Sequence, residues 1–236
     1  MIGRRGLWWV VLLAGWQPLA MAQYIESQST PVGQERYFRL GVEFRTFEPL
    51  LSNTSPDSLR VSYARPLAIA GFTQGPLDIL LGYGTYPWAG SSRTAMFVSM
   101  TVGTEVSLGG PGPGGLSLPL VVAADFTKSE LPPPEKNTFN VGSVGVGGGL
   151  LFRTAGRSAR GSLRLVAAAH YCIDGFSAGG GFSFASFGEA TLLLPGALAL
   201  DGVVAGYRFR YQSWSMTNDW HDYRAFSHGP FVGVML

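Results

Sequence analysis

Cysteine is nearly missing from this chain: Cys172 stands alone among 236 residues, so no internal disulfide staples it, and it reads as a small buried or membrane-facing side chain. Charge is scarce too, at 14% against about 25% in an ordinary soluble domain. Part of the surface is therefore left for something other than water. With aromatics at 13%, the shortage also excludes a disordered chain, which would be rich in charge and poor in rings. Lysine is confined to Lys128 and Lys136 and no basic run occurs, which speaks against nucleic acid as a partner. The three histidines fall in no HExxH, CxxC or EF-hand spacing, so neither a metal nor a cofactor is expected. There is no GxSxG elbow, and the glycine-rich "SAGGGF" lacks the lysine and helix of a phosphate loop.

What is present begins with an export signal. Arg4 and Arg5 precede an apolar run from Leu7 to Trp16, and Ala20-Met21-Ala22 supplies small residues at a cleavage site. Cleavage after Ala22 makes Gln23 the first mature residue. The apolar run is too short to cross a membrane as a helix, which takes about 20 residues. Without Arg4 and Arg5 the 17 basic residues fall to 15, equal to the 15 acidic ones. The expected organisation is a signal peptide over 1–22, a short periplasmic tail over 23–35 and one domain over 36–236.

That domain alternates with period two, the mark of strands with unlike faces. Phe38, Leu40, Val42 and Phe44 share one face, and Arg39, Gly41, Glu43 and Arg45 the other. Met96, Val98, Met100 and Val102 oppose Arg93, Ser99, Thr101 and Glu105; Tyr207, Phe209 and Tyr211 oppose Arg208 and Arg210. Residues 190–207 approach the length of a spanning helix, but Pro195-Gly196 and Asp201 divide them into two strands and a turn. Short connections such as "GGPGPGG", "AGRSARG" and "LPGA" interleave with longer polar ones such as "TKSELPPPEKN" and "SWSMTNDWHDYR". Short turns at one end and long loops at the other is the asymmetry of transmembrane barrels.

The expectation is therefore all-β: a closed antiparallel transmembrane barrel of about ten strands, with eight or twelve as neighbouring counts. The outward faces are apolar. The inward faces place Arg39, Glu43, Arg45, Arg60, Asp78, Arg93, Glu105, Asp125, Arg164, His170, Arg208 and Arg210 in one polar lumen network, where opposite charges pair. Tyr86, Trp88, Phe126, Tyr171, Tyr211, Trp214, Trp220 and Tyr223, near strand ends, are expected at the membrane interfaces. A tight interior also explains "GSVGVGGGLLFR" (142–153), where inward glycines make room for neighbours. A soluble secreted β-sandwich is the alternative fold.

With its signal, alternating strands, loop asymmetry and final strand "HGPFVGVML", the chain resembles the small bacterial outer-membrane β-barrel proteins, although its last residue is Leu236 where that class often ends in an aromatic. The resemblance implies residence in the outer membrane of a Gram-negative-type bacterium. It also implies contact with outer-membrane lipid and lipopolysaccharide, and insertion by the barrel-assembly machinery; it implies no activity. In "TNDWHDYR", Asp219, His221 and Asp222 are the catalytic candidates, since a carboxylate beside an imidazole can orient a general base. The Asp-x-His pair is similar to part of the site of omptin-type outer-membrane proteases, but their Asp-x-Asp element has no counterpart here. A structural or surface-interaction role leads, ahead of a narrow channel or a barrel enzyme acting on peptide or lipid. The external ligand is not specified.

Overall fold

The structure is a computed structural model that describes residues 35–55, 60–88, 91–108, 114–130, 138–154, 156, 159–174, 176, 178–197 and 201–236. The expected signal peptide, its cleavage residues Ala20, Ala22 and Gln23, and most of the tail lie outside the described residues. Ten strands follow in chain order: β1 (Arg36–Pro49), β2 (Tyr63–Gln74), β3 (Leu77–Trp88), β4 (Ser91–Ser107), β5 (Gly115–Glu130), β6 (Thr138–Arg153), β7 (Arg160–Cys172), β8 (Gly181–Pro195), β9 (Gly202–Met216) and β10 (Tyr223–Met235). Each pairs antiparallel with its chain neighbours, and β1 pairs with β10 to close the barrel. The sandwich alternative is excluded, because a single sheet closes on itself and leaves no edge.

The registers fix the shape. Partners lead from Tyr37 through Thr73, Asp78, Thr101, Ala123, Gly145, His170, Ser183, Trp214 and Tyr223, and return to β1 at Pro49, twelve residues on. A stagger of that size tilts the strands by roughly 40° and leaves an interior that side chains can fill. Both ends of the described chain lie at one end of the barrel, with the β2–β3 and β8–β9 turns. Gly75 (φ 52°) and Gly196 (φ 66°) take the left-handed conformation these turns need. The Pro195-Gly196 break divides 190–207 into β8 and β9, as the sequence implies.

The faces are the inverse of a soluble protein's. On β1, Arg39 and Glu43 are fully buried while Leu40 and Phe44 are each 53% exposed. The "GSVGVGGGLLFR" strand turns Gly145, Gly147 and Gly149 inward and Val144, Val146, Leu150 and Phe152 outward, the last four all exposed. A continuous apolar wall around a polar interior is the pattern of a sheet that faces lipid.

Candidate functional site

At the end away from the termini, two long connections are tied together. Asp222 accepts from Ser52 Oγ (2.6 Å) with one carboxylate oxygen and from Met216 N (2.7 Å) with the other. Its carbonyl accepts from Leu50 N (3.0 Å) and Asn53 Nδ2 (3.1 Å). Asn53 Nδ2 also donates to the Trp220 carbonyl (2.9 Å), and Arg60 donates to the Asn53 carbonyl (2.9 Å). Arg60 therefore belongs to this rim and not to the lumen strands. Asp219–His221 form one 3-10 turn, opened by Asn218, whose side chain accepts from Trp220 N.

The expected carboxylate–imidazole relay is not assembled among the described residues. Asp219 is exposed and uses only its main-chain carbonyl, which accepts from Asp222 N. Asp222 is buried and committed to the strap. His221 is buried, with its ring 6.4 Å from that of Phe139 and its Nδ1 without a partner among the described residues. Burial pushes the His221 pKa below the ordinary imidazole value, against the opposing pull of Asp222, so the ring stays neutral near pH 7. The ring therefore lacks, among the described residues, the carboxylate hydrogen bond that would orient it as a general base.

Below this rim the lumen is filled in layers, whose order follows the inward residues Arg39, Glu43, Arg45 and Phe47 along β1. In the first layer Arg39 bonds Asp78 and Glu189, each at 2.6 Å, and Arg208 reaches the same two carboxylates at 3.1 and 3.3 Å. In the second, Arg210 bonds Asp125 (2.7 Å) and Gln212 (3.0 Å), Ser227 donates to Glu43 (2.8 Å), and His170 Nδ1 lies 3.4 Å from Ser143 Oγ. Nearer the termini, Arg153 holds Glu105 with two hydrogen bonds.

Rings cap the guanidiniums. Arg45 and Arg210 both stand over Phe97 (5.1 and 5.3 Å), Arg164 and Arg208 over Phe187 (5.3 and 4.6 Å), and Arg39 over Phe231 (5.0 Å). Such contacts offset part of the cost of removing a guanidinium from water. The last layer is aromatic. Tyr86, Tyr63, Phe47 and Tyr223 stack in succession at 4.2, 5.3 and 4.6 Å, Phe139 packs edge-on against Phe47 and Tyr223, and Trp214 packs edge-on against Phe139. Tyr63 bonds Ser129 Oγ and Tyr86 donates to the Glu130 carbonyl.

This plug corrects one expectation. Tyr86, Trp214 and Tyr223 are at most 1% exposed and point into the barrel. They sit near strand ends, as their positions show, but on the inner face. Phe126, Tyr171 and Tyr211 do face outward, Trp220 stands exposed on the 3-10 turn, and the Trp88 side chain lies outside the described residues. Arg93 is half-buried at the start of β4, opposite Tyr86.

The sequence reading missed Glu189, Gln212 and Ser227 among the network, and Ser52 and Asn53 at the rim. Glu189 was hidden because Leu192-Leu193-Leu194 is apolar on both faces, which blurs the alternation of β8. Its phase with Phe187 and Ala185 was the available signal.

The arrangement defines a class: a closed ten-stranded antiparallel β-barrel with an apolar wall and an ion-paired, aromatic-stoppered interior. No protein-family model and no curated protein matches the chain. Among solved structures, one match is the crystal structure of Neisserial surface protein A, with 11% identity over 85% of this chain and 97% of that one, at a TM-score of 0.32. A likeness that distant says nothing of what this chain does.

Proposed function

We propose that this chain is an outer-membrane barrel whose filled lumen serves as a scaffold and whose role is to present the rim opposite the termini at the cell surface. The supporting observation is the inversion within single strands, where buried Arg39 and Glu43 alternate with exposed Leu40 and Phe44. Of the outward aromatics, Phe44, Phe126, Tyr171, Phe182, Phe184, Tyr211 and Phe226 fall toward the rim end of their strands, whereas Phe38 and Phe152 stand near the end with the termini. Such a band suits one membrane interface, with lipid and lipopolysaccharide as the neighbours of the wall. Insertion would use the barrel-assembly machinery. Ion layers beneath an aromatic plug favour a scaffold over a channel, and the separation of Asp219 from His221 favours it over a barrel protease.

The test is electrophoresis of membrane fractions with and without boiling, followed by planar-bilayer recording of the purified barrel. We expect a heat-dependent band shift in the outer-membrane fraction and no conductance steps. A soluble exported protein without a shift would overturn the membrane reading. Regular steps from the wild-type protein would overturn the scaffold reading.

A further inference from the structure

Ala123 on β5, Ala168 on β7 and Ala185 on β8 all point inward, where such short side chains leave space. They line a cavity inside the second ion layer with room for about one water molecule. Three buried polar atoms of its wall are unsatisfied. Thr101 Oγ1, His170 Nε2 and Arg210 Nη1 have no hydrogen-bond partner among the described residues, although their residues are only 3%, 2% and 4% exposed. Asp125 Oδ2 lies 3.6 Å from His170 Nε2, too far for a direct hydrogen bond.

The charge here is already matched, because Arg210 bonds Asp125 at 2.7 Å. An additional ion would leave a net charge in a low-dielectric interior, so a neutral ligand fits better. It must both donate and accept: Arg210 Nη1 donates, Asp125 Oδ2 accepts, and the Thr101 hydroxyl and His170 ring take either role. We infer that this cavity is a built site for one structural water, which joins Thr101, Asp125, His170 and Arg210 into a single network. A water with up to four polar partners is held as firmly as a side chain and fixes the orientation of the imidazole. The site is a property of the lumen and is independent of where the barrel resides or what its rim contacts.

The experiment is alanine-methyl NMR of the refolded barrel in detergent micelles, with protonated alanine methyls in an otherwise deuterated chain. A long-lived water cross-peak is expected at the Ala123 and Ala168 methyls, with no shift of either under xenon pressure. Ala168→Leu fills the space and is expected to abolish the peak at Ala123. Xenon shifts without a water peak would show a dry void and overturn the inference. Absence of both signals in the wild-type barrel would overturn it equally, and that measurement needs no variant to fold.

Discussion

Arg39 on β1 and Asp78 on β3 are 39 positions apart, yet their guanidinium and carboxylate meet at 2.6 Å across the intervening β2. The passage exists because β2 offers Gly71 there: a Cβ at that position would lie 2.7 Å from Arg39 Nε. Asp78 also bonds Arg208, so one carboxylate holds two buried cations. Removing one partner of a buried pair leaves charge without compensation, at a cost of about 3–5 kcal/mol. Asp78→Ala should markedly lower the temperature at which the unboiled band converts to the boiled one. Arg224 and Glu48 also pair at 2.7 Å, but their side chains are 48% and 39% exposed. Water screens that contact, so Arg224→Ala should cost less than about 1 kcal/mol. Equal midpoints for the two variants would refute the layered view of the lumen.

The rim should distinguish its acidic residues. Asp222→Ala removes acceptors for the exposed Ser52 Oγ and for Met216 N, and the buried amide left without a partner costs about 1–3 kcal/mol. Limited proteolysis of intact cells should then cut the rim connections faster, while the barrel keeps its heat-dependent band. Asp219→Ala should leave both readouts unchanged, because its carboxylate is exposed and makes no hydrogen bond within the described residues. Faster cutting in Asp219→Ala with none in Asp222→Ala would reverse the assignment.

His221 makes the rim sensitive to acid. Burial holds its folded pKa below the ordinary imidazole value of about 6.5. The unfolded state therefore binds the proton more readily, and stability increases with pH across this window. The contribution is complete above the ordinary value and is lost as pH falls through it toward the folded pKa. Protease resistance of the rim should be steady near pH 7.5 and drop below about pH 6. His221→Phe should flatten that dependence; an unchanged slope would assign it to another group.

Much of the barrel was legible because the wall repeats one rule. Strand phase placed Arg39, Asp78, Arg208 and Arg210 on the inner face, where they meet their partners. The aromatic plug was not legible. Phe47, Phe97 and Phe139 lie on the inner face although nothing in their type distinguishes them from outward rings such as Phe44. Alternation ranks polarity, and a lumen that ends in a stack of rings breaks the equation of apolar with outward. The rim failed for another reason. Proximity of Asp219 and His221 along the chain says nothing of side-chain direction in a 3-10 turn, and the one side-chain partner of the Asp222 carboxylate among the described residues lies 170 positions away at Ser52.

The glycines of β6 provide the sharpest test of how tightly the barrel is coiled. A Cβ on Gly145 would lie 2.2 Å from the Ala169 carbonyl oxygen, one on Gly147 2.2 Å from that of Ala167, and one on Gly149 1.8 Å from that of Leu165. All three point inward against the backbone of β7, which no rotamer change can move aside. Gly148 points outward between them, and its Cβ would find the Pro119 oxygen at 3.2 Å and Leu120 Cδ2 at 3.6 Å. A shift of a few tenths of an ångström accommodates that methyl. It would also remove some of the backbone freedom that glycine gives up on folding, a gain of up to about 1 kcal/mol. Gly149→Ala, by contrast, must push β7 away and loosen a ladder that runs from Ser143↔Cys172 to Arg153↔Ser162. Overpacking of this kind costs about 1–3 kcal/mol, and more where backbone is the obstacle. Gly149→Ala should therefore refold poorly and convert to the boiled form at a clearly lower temperature, while Gly148→Ala stays close to the wild type. If the two alanine variants behave alike, the close approach of β6 to β7 is wrong, and with it the reason this strand is so rich in glycine.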